Sequence, residues 1–452
     1  MAPVRLYITA LNPTDSVTLG FWPAARALGH PVTVLTDQPA AHEGLYGPAE
    51  VLPCEVRDFR AVIDTISRHD RPVAIFSNSD HLQAPTALAA TYFGLPAKDW
   101  RAALNCKNKA LMRSTLAAAG VERVHSARLR PPPRPPGPAP HPVRPEPGEP
   151  AAGAVRPGPG AHAVRHEPGG DAGDGGPGRA GDGNVPADDD LGYGGPYPAV
   201  VKPREGVASE DVVLVRDAAE LRAAAGAIAA RRPADPLVAE EYLPGELRTL
   251  ETLGDGERLH VLGGFRTTLG APPHFVEERL DWDPGEPAKR EHVLAALRAL
   301  GVGLGACHTE YVTTPAGPRI IEVNYRVIGD NCDLLLAEFL GIPLFELILR
   351  LHLGEPLPAG LPRPGEVKGA AAAVSVVADR AGTIVSAPPA ADPLPGEEVR
   401  LWHRPLRSPG DRVEPAGTNR DYLAVIRAIA PDPQTLDHAV NARLAADPWV
   451  IA

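Results

Sequence analysis

His308-Thr-Glu-Tyr-Val-Thr-Thr-Pro-Ala-Gly-Pro-Arg-Ile-Ile-Glu-Val-Asn-Tyr-Arg326 is the stretch that decides the fold. Its centre, Pro315-Ala316-Gly317-Pro318, carries turn residues, and β-branched residues flank it on both sides. That composition predicts a hairpin. Folding about the turn places Glu310 and Glu322 opposite each other, within one residue of register. Side chains alternate along a strand, so Glu322, Asn324 and Arg326 share one face. Like charges directly opposite on a sheet are destabilising. A divalent cation between them removes that penalty, and two carboxylates with an amide oxygen are hard ligands suited to Mg²⁺ that also holds substrate phosphates. Taken alone, the stretch also fits a solvated hairpin with scattered charge.

Composition narrows the classes. A chain of 452 residues is long enough for two to four compact units. A net charge of −11 argues against a dedicated nucleic-acid binder. No apolar run reaches the roughly 18–20 residues of a membrane span, and the N-terminus shows no signal-peptide pattern. Cys54, Cys106, Cys307 and Cys332 are scattered, without metal spacing. Buried free thiols in a reduced, cytoplasmic setting are the expectation. The basic residues are mostly Arg, with only six lysines, at 98, 107, 109, 202, 289 and 368. Those lysines are informative because Lys acts as a compact point charge at a phosphate.

Outward from the hairpin, the N-terminal part alternates strands (4–10, 32–35, 73–76) with helices (about 14–28 and 86–92), which implies an open parallel sheet. No GxGxxG follows the first strand, so a dinucleotide site there is unsupported. Residues 99–120 read as helical. From about 130 to 195 Pro, Gly, Ala, Arg and Asp dominate, a composition expected to stay disordered. Patterning resumes at Tyr197, with a helix over 218–230, a strand over 237–242, a helix over 291–300 and helices over 332–340 and 344–353. The last part is read as a strand over 371–377 and a closing helix over 421–430.

Three further segments carry chemistry. Tyr197-Pro-Ala-Val-Val-Lys202-Pro-Arg-Glu-Gly206-Val-Ala-Ser209 is a strand ending in a lysine, then a loop whose backbone N–H groups suit phosphate oxygens. An edge strand running into a surface loop reads the same way. Leu237-Val-Ala-Glu240-Glu241-Tyr242-Leu-Pro-Gly245-Glu246 leads an apolar strand into acids and an aromatic residue. A solvated strand end is the plainer reading of that segment by itself. Lys107-Asn108-Lys109 sets a cation pair at a helix start, which the helix dipole disfavours without an anion.

In their order and spacing, Lys109, Lys202, Glu240–Glu241, Glu310, Glu322, Asn324 and Arg326 resemble the ATP-grasp superfamily over residues 1–120 and 197–452. Pro273-His-Phe-Val-Glu277 resembles its bacilysin-type amino acid ligases, and Arg326-Val-Ile-Gly-Asp-Asn-Cys-Asp333 its siderophore-pathway (vibrioferrin-type) ligases. The resemblance implies an α/β fold: an N-terminal open parallel domain (1–123), a Pro/Gly-rich insert (124–195), a lid subdomain (196–262), a catalytic subdomain (263–360) and a small α+β C-terminal unit (361–452). It implies that Lys109 and Lys202 hold ATP phosphates with the loop of Gly206 and Ser209. Glu240, Glu241 and Tyr242 would form an adenine hinge, and Glu246 would bind ribose. Glu310, Glu322 and Asn324 would hold Mg²⁺ (or Mn²⁺), Arg326 would stabilise the transferring phosphate, and Glu277 would lie near an amino acid.

Two departures mark the chain. Glu246 directly follows Gly245 where Gly-x-Glu is usual, and Glu210 stands where a loop glycine is common. The lid's expected first strand and helix are not evident in 124–195. The implied activity is ATP-dependent joining of a small carboxylic acid to an amine or amino acid, in dipeptide or siderophore assembly, by an enzyme that is often dimeric. A rival is an ATP-binding regulatory relative with an impaired lid.

Overall fold

A computed structural model describes residues 4–47, 49–130, 191–272 and 274–452. The expected disorder of the Pro/Gly-rich stretch falls, for 131–190, outside the described residues, as does Pro273.

Four parallel strands open the chain, in the spatial order Glu50–Pro53, Val32–Thr36, Val4–Thr9, Arg71–Phe76. Val32–Thr36 is buried along its whole length, as a parallel strand covered on both faces must be. The chain first adds strands on one side of Val4–Thr9 and then on the other. That reversal leaves a crevice at the carboxyl ends of the strands, where open α/β sheets bind ligands. The segment after Arg71–Phe76 therefore faces functional space, and it carries Asp80. Glu50–Pro53 and the helix Phe59–Ser67 escaped the sequence reading. The first is short and half-buried with little periodicity.

The second sheet has eight strands, all antiparallel, in the order Gly317–Asn324, Leu304–Thr314, Glu246–Asp255, Leu259–Leu269, Glu277–Asp283, Ala370–Val377, Tyr422–Ala430, Arg400–Pro405. The C-terminal stretch, expected as a unit of its own, gives this sheet three of its strands. Tyr422–Ala430 also corrects the closing helix expected over 421–430. Tyr-Leu-Ala-Val-Ile-Arg-Ala-Ile-Ala is buried at every position and pairs on both sides. With Arg427 as its one charged residue, so short a run has no period to separate strand from helix. The closing helix lies further on, at Pro433–Ala446, capped by the Asp432 side chain.

Helices Cys332–Leu340 and Leu344–His352 bring the first sheet and the large sheet into one apolar core. Phe345 sits so close to Gly20 that a Cβ there would lie 2.4 Å from its ring. Pro287–Leu300 and Lys109–Ala118 share a second core with the back of the hairpin, around Tyr311 and Ile320.

A third sheet, mostly in the stretch expected as the lid, is ordered Ser126–Arg128, Leu237–Glu241, Ala199–Pro203, Val213–Val215. Helix Ala218–Arg231 packs on it through Leu221, Ala225 and Ile228. Ser126–Arg128 falls inside the stretch expected to be insert. Three residues of mixed polarity give no strand signal, and only pairing with Leu237–Glu241 defines them. Among the described residues no helix is long and apolar enough to cross a membrane, and all four cysteines are buried and free.

Candidate active site

The hairpin forms as its sequence requires. Glu310 pairs in register with Glu322, and His308 with Asn324. The facing carboxylates are held by cations. Lys109 Nζ lies 2.9 Å from Glu322 Oε1, and His308 Nε2 lies 3.4 Å from Glu310 Oε1. Burial raises the Glu322 pKa, but Lys109 and Lys107 outweigh it and hold the group below the usual carboxylate range. His308 is set by Glu251, whose Oε1 is 2.7 Å from Nδ1. Burial disfavours its charge, yet Glu251 and then Glu310 push its pKa up to about 10.

Around the hairpin, lid, large sheet and N-terminal unit enclose a cavity of about 320 Å³. Lys109, Lys202, Gly206, Ser209, Glu240, Glu241, Tyr242, Glu277, Glu310, Glu322, Asn324 and Arg326 all line it. Glu246 does not. It is exposed, and its carboxylate accepts from Arg248 at 2.6 Å. Gly245 crosses over the hairpin so closely that a Cβ would lie 2.2 Å from the Thr313 carbonyl oxygen. Gly245 and Leu247 line the cavity and Glu246 lies between them, facing away as strand alternation dictates.

Glu240 is a buried ion-pair centre. Arg113 Nε and Nη2 donate to its two oxygens at 2.9 and 3.1 Å, and Lys202 Nζ lies 2.8 Å from Oε2. Burial disfavours its charge, but Arg113 and Lys202 outweigh that and keep it ionised. Glu241 accepts from the His125 backbone N–H at 2.9 Å, and the Tyr242 N–H donates to the Pro198 carbonyl. Both are tied into the lid sheet while reaching the cavity.

Asp80 is the residue that the sequence reading missed. Arg326 Nη2 donates to its Oδ2 at 2.9 Å, and the Asn324 amide, oriented to satisfy its neighbours, donates to both oxygens at 3.3 and 3.2 Å. This orientation directs the Asn324 oxygen away from Asp80. Burial raises the Asp80 pKa, and Arg326 more than reverses it. The available signal was its place after the fourth parallel strand, at the crevice. Lys98 braces the same corner, donating to Gln83 Oε1 at 2.7 Å and to the Tyr325 carbonyl. Lys107 Nζ is buried without a hydrogen-bond partner among the described residues. Burial pulls its pKa below the usual lysine value, while the nearby Asp80 and Glu322 carboxylates favour its charge.

Away from these cations, Phe275, Tyr422 and Val425 wall the cavity around Glu277. Burial, with the Glu310 and Asp330 carboxylates, pushes the Glu277 pKa up to about 8. Among the described residues no cluster of three His, Cys, Asp or Glu side chains has metal-holding geometry. Two carboxylates and an amide oxygen still suit Mg²⁺, which completes its shell with water and phosphate oxygens.

No family model matches the chain. It is 26% identical over 439 residues to the uncharacterized protein y4rH of Sinorhizobium fredii, covering 94% of this chain and 78% of that one. Over 155 residues it is 24% identical to dapdiamide A synthase of Enterobacter agglomerans, 32% of this chain and 37% of that one. The structure of an L-amino acid ligase from Bacillus licheniformis superposes with a TM-score of 0.70 at 19% identity, covering 100% of both chains. Phosphoribosylglycinamide synthetase from Anaerococcus prevotii superposes at 0.66, with 12% identity, covering 99% of this chain and 100% of that one. The chain has the ATP-grasp fold.

Proposed function

We propose that the chain is an ATP-dependent carboxylate–amine ligase that activates a small carboxylic acid as an acyl-phosphate and joins it to an amine. The reading rests most on Glu310 facing Glu322 in register, in one cavity with Lys109, Lys202 and Arg326. Glu310, Glu322 and Asn324 would hold Mg²⁺ or Mn²⁺. Bound there, the metal supplies charge neutralisation at the transferring phosphoryl group.

Lys109 and Lys202, which line the cavity, would offer fixed charge to phosphates. Val200, Leu243 and Leu247 give the lid side an apolar slot for a purine. Glu240 acts by holding Lys202 and Arg113; it is a positioning residue of the nucleotide end. Arg326, oriented by Asp80, faces the carboxylate as it attacks the γ-phosphate. The amine then displaces phosphate from the acyl carbon. Enclosure by the lid excludes water from the acyl-phosphate, and the pairing of Ser126–Arg128 with Leu237–Glu241 supports a lid able to do so.

An amino acid is the proposed amine or acid, in dipeptide or siderophore-type assembly. In support, the L-amino acid ligase spans the whole chain, and Glu277 lines the same cavity as Glu310 and Glu322, where it would meet an ammonium group. A cytoplasmic setting and a homodimer belong to the same proposal.

An ADP-release screen tests the reading, pairing amino acids with citrate-like and 2-oxo acids in Mg²⁺. Release that requires both an acid and an amine is expected. ADP formation indifferent to every pair would overturn it.

A further inference from the structure

Glu210 stands where a loop glycine is common, and the proposed phosphate chemistry gives it no task. The structure supplies one outside the lid. Arg420, in the turn before Tyr422–Ala430, donates through Nε to Glu210 Oε1. Arg232 of the lid holds the other oxygen, Nη2 to Oε2, at 2.5 Å. One residue earlier, the Asn419 backbone N–H donates to the Ala208 carbonyl at 3.2 Å. The lid loop is thus fastened to the C-terminal turn by one ion pair and one backbone bond.

The loop needs fastening. Ala208, Ser209 and Asp211 have φ of 56°, 55° and 56°, a left-handed conformation that L-residues adopt at a cost. Such a conformation persists when its surroundings over-determine it. The C-terminal turn is a rigid anchor. The Asp421 carboxylate accepts from the backbone N–H groups of Ala416, Gly417 and Thr418 at 3.0, 2.7 and 3.0 Å.

The same Asn419 that meets the lid grips Glu277. Its Oδ1 accepts from the Glu277 N–H at 3.1 Å, and its Nδ2 donates to Glu277 Oε2 at 3.3 Å. Tyr422 adds a bond from its hydroxyl to the Glu277 carbonyl at 2.8 Å. His274 of the same segment packs on Gly417, where a Cβ would lie 2.3 Å from its ring. One side chain and its own backbone N–H therefore touch the substrate-end acid and the phosphate loop.

We propose that Asn419 and Arg420 form a latch through which lid closure positions Glu277, so that the nucleotide end and the amino-acid end of the cavity are completed together. The proposal rests on the ligase reading for its purpose, but the latch is a statement about this chain's contacts. Arg420 is mostly exposed and does not line the main cavity, so its removal leaves the site's own groups in place.

The experiment is amide hydrogen exchange on the full chain, comparing wild type, Arg420→Ala and Arg420→Lys. In unliganded protein, exchange across 206–211 is expected to rise about threefold in Arg420→Ala, the loss of one solvent-screened ion pair, and partly to recover in Arg420→Lys. The Glu277 amide, two contacts away, is expected to follow. With Mg²⁺ and a non-hydrolysable ATP analogue, wild type gains protection at both places and Arg420→Ala gains it weakly. Once an acid–amine pair is known, KM for the amino acid rises in Arg420→Ala while kcat changes less. Unchanged exchange at 206–211 in Arg420→Ala overturns the latch. Faster exchange there with Glu277 unaffected overturns the coupling. If the analogue protects nothing in wild type, the ligase reading fails, and the unliganded comparison still decides the latch.

Discussion

At the floor of the cavity, Glu310, Glu322 and Asn324 sit where strand register puts them. In the roof, Ala208, Ser209 and Asp211 hold left-handed backbone, and their loop is fastened by side chains some 200 positions apart along the chain, Glu210 to Arg420. Floor groups are preorganised by backbone hydrogen bonds, which cost nothing further when substrate arrives. Roof groups depend on pairs that are partly exposed and can open. A site built this way would keep Glu310, Glu322 and Asn324, the proposed metal-binding groups, fixed while the proposed lid admits nucleotide.

The largest effect is expected from the floor. Glu322→Gln keeps a hydrogen-bond acceptor for Lys109 but removes the charge opposite Glu310. Acid- and amine-dependent ADP release should fall about a thousandfold, with circular dichroism showing the fold retained. Turnover at the wild-type rate would remove the floor from the chemistry. Next comes Glu240→Ala, which strands Arg113 and Lys202 as buried cations. A loss of about 3–5 kcal/mol in unfolding free energy is expected, read by denaturant titration. A change near zero would show that Glu240 is an unimportant partner.

Asp80→Ala separates aim from charge. Arg326 and Asn324 stay in the cavity but lose the carboxylate that orients them. A fall in kcat of about a hundredfold, with KM for ATP little changed, is the expected cost of misplacing groups by roughly 1 Å. A change confined to KM would place Asp80 in binding instead. Smallest of all is Glu246→Ala. Its carboxylate faces Arg248 outside the cavity, so KM for ATP should match wild type in initial-rate kinetics, and a severalfold rise would return it to the nucleotide site.

The same contrast governs what could be read from the sequence. Glu310 and Glu322 were legible because a hairpin turn and a period of two fix their register. Lys202 was legible because it ends an apolar strand before a Gly-containing loop. Asp80 was not, since its partners lie 244 and 246 positions away and no local pattern announces them. Glu240 looked like a hinge residue, and only folding showed Arg113 against it. The strand Tyr422–Ala430 reads as a helix in sequence because one arginine among apolar residues sets no period of two, and its identity comes from neighbours on both sides. Arg420 had no signal at all, because an exposed turn arginine resembles any other until the lid is placed beside it.

The central claim is that this cavity activates a carboxylate with ATP. It is tested most directly by following ¹⁸O from a labelled carboxylic acid during turnover with amine, Mg²⁺ and ATP. The account predicts ADP and one labelled oxygen in each phosphate released, matched one for one by amide. Unlabelled phosphate, or AMP with pyrophosphate, would contradict it.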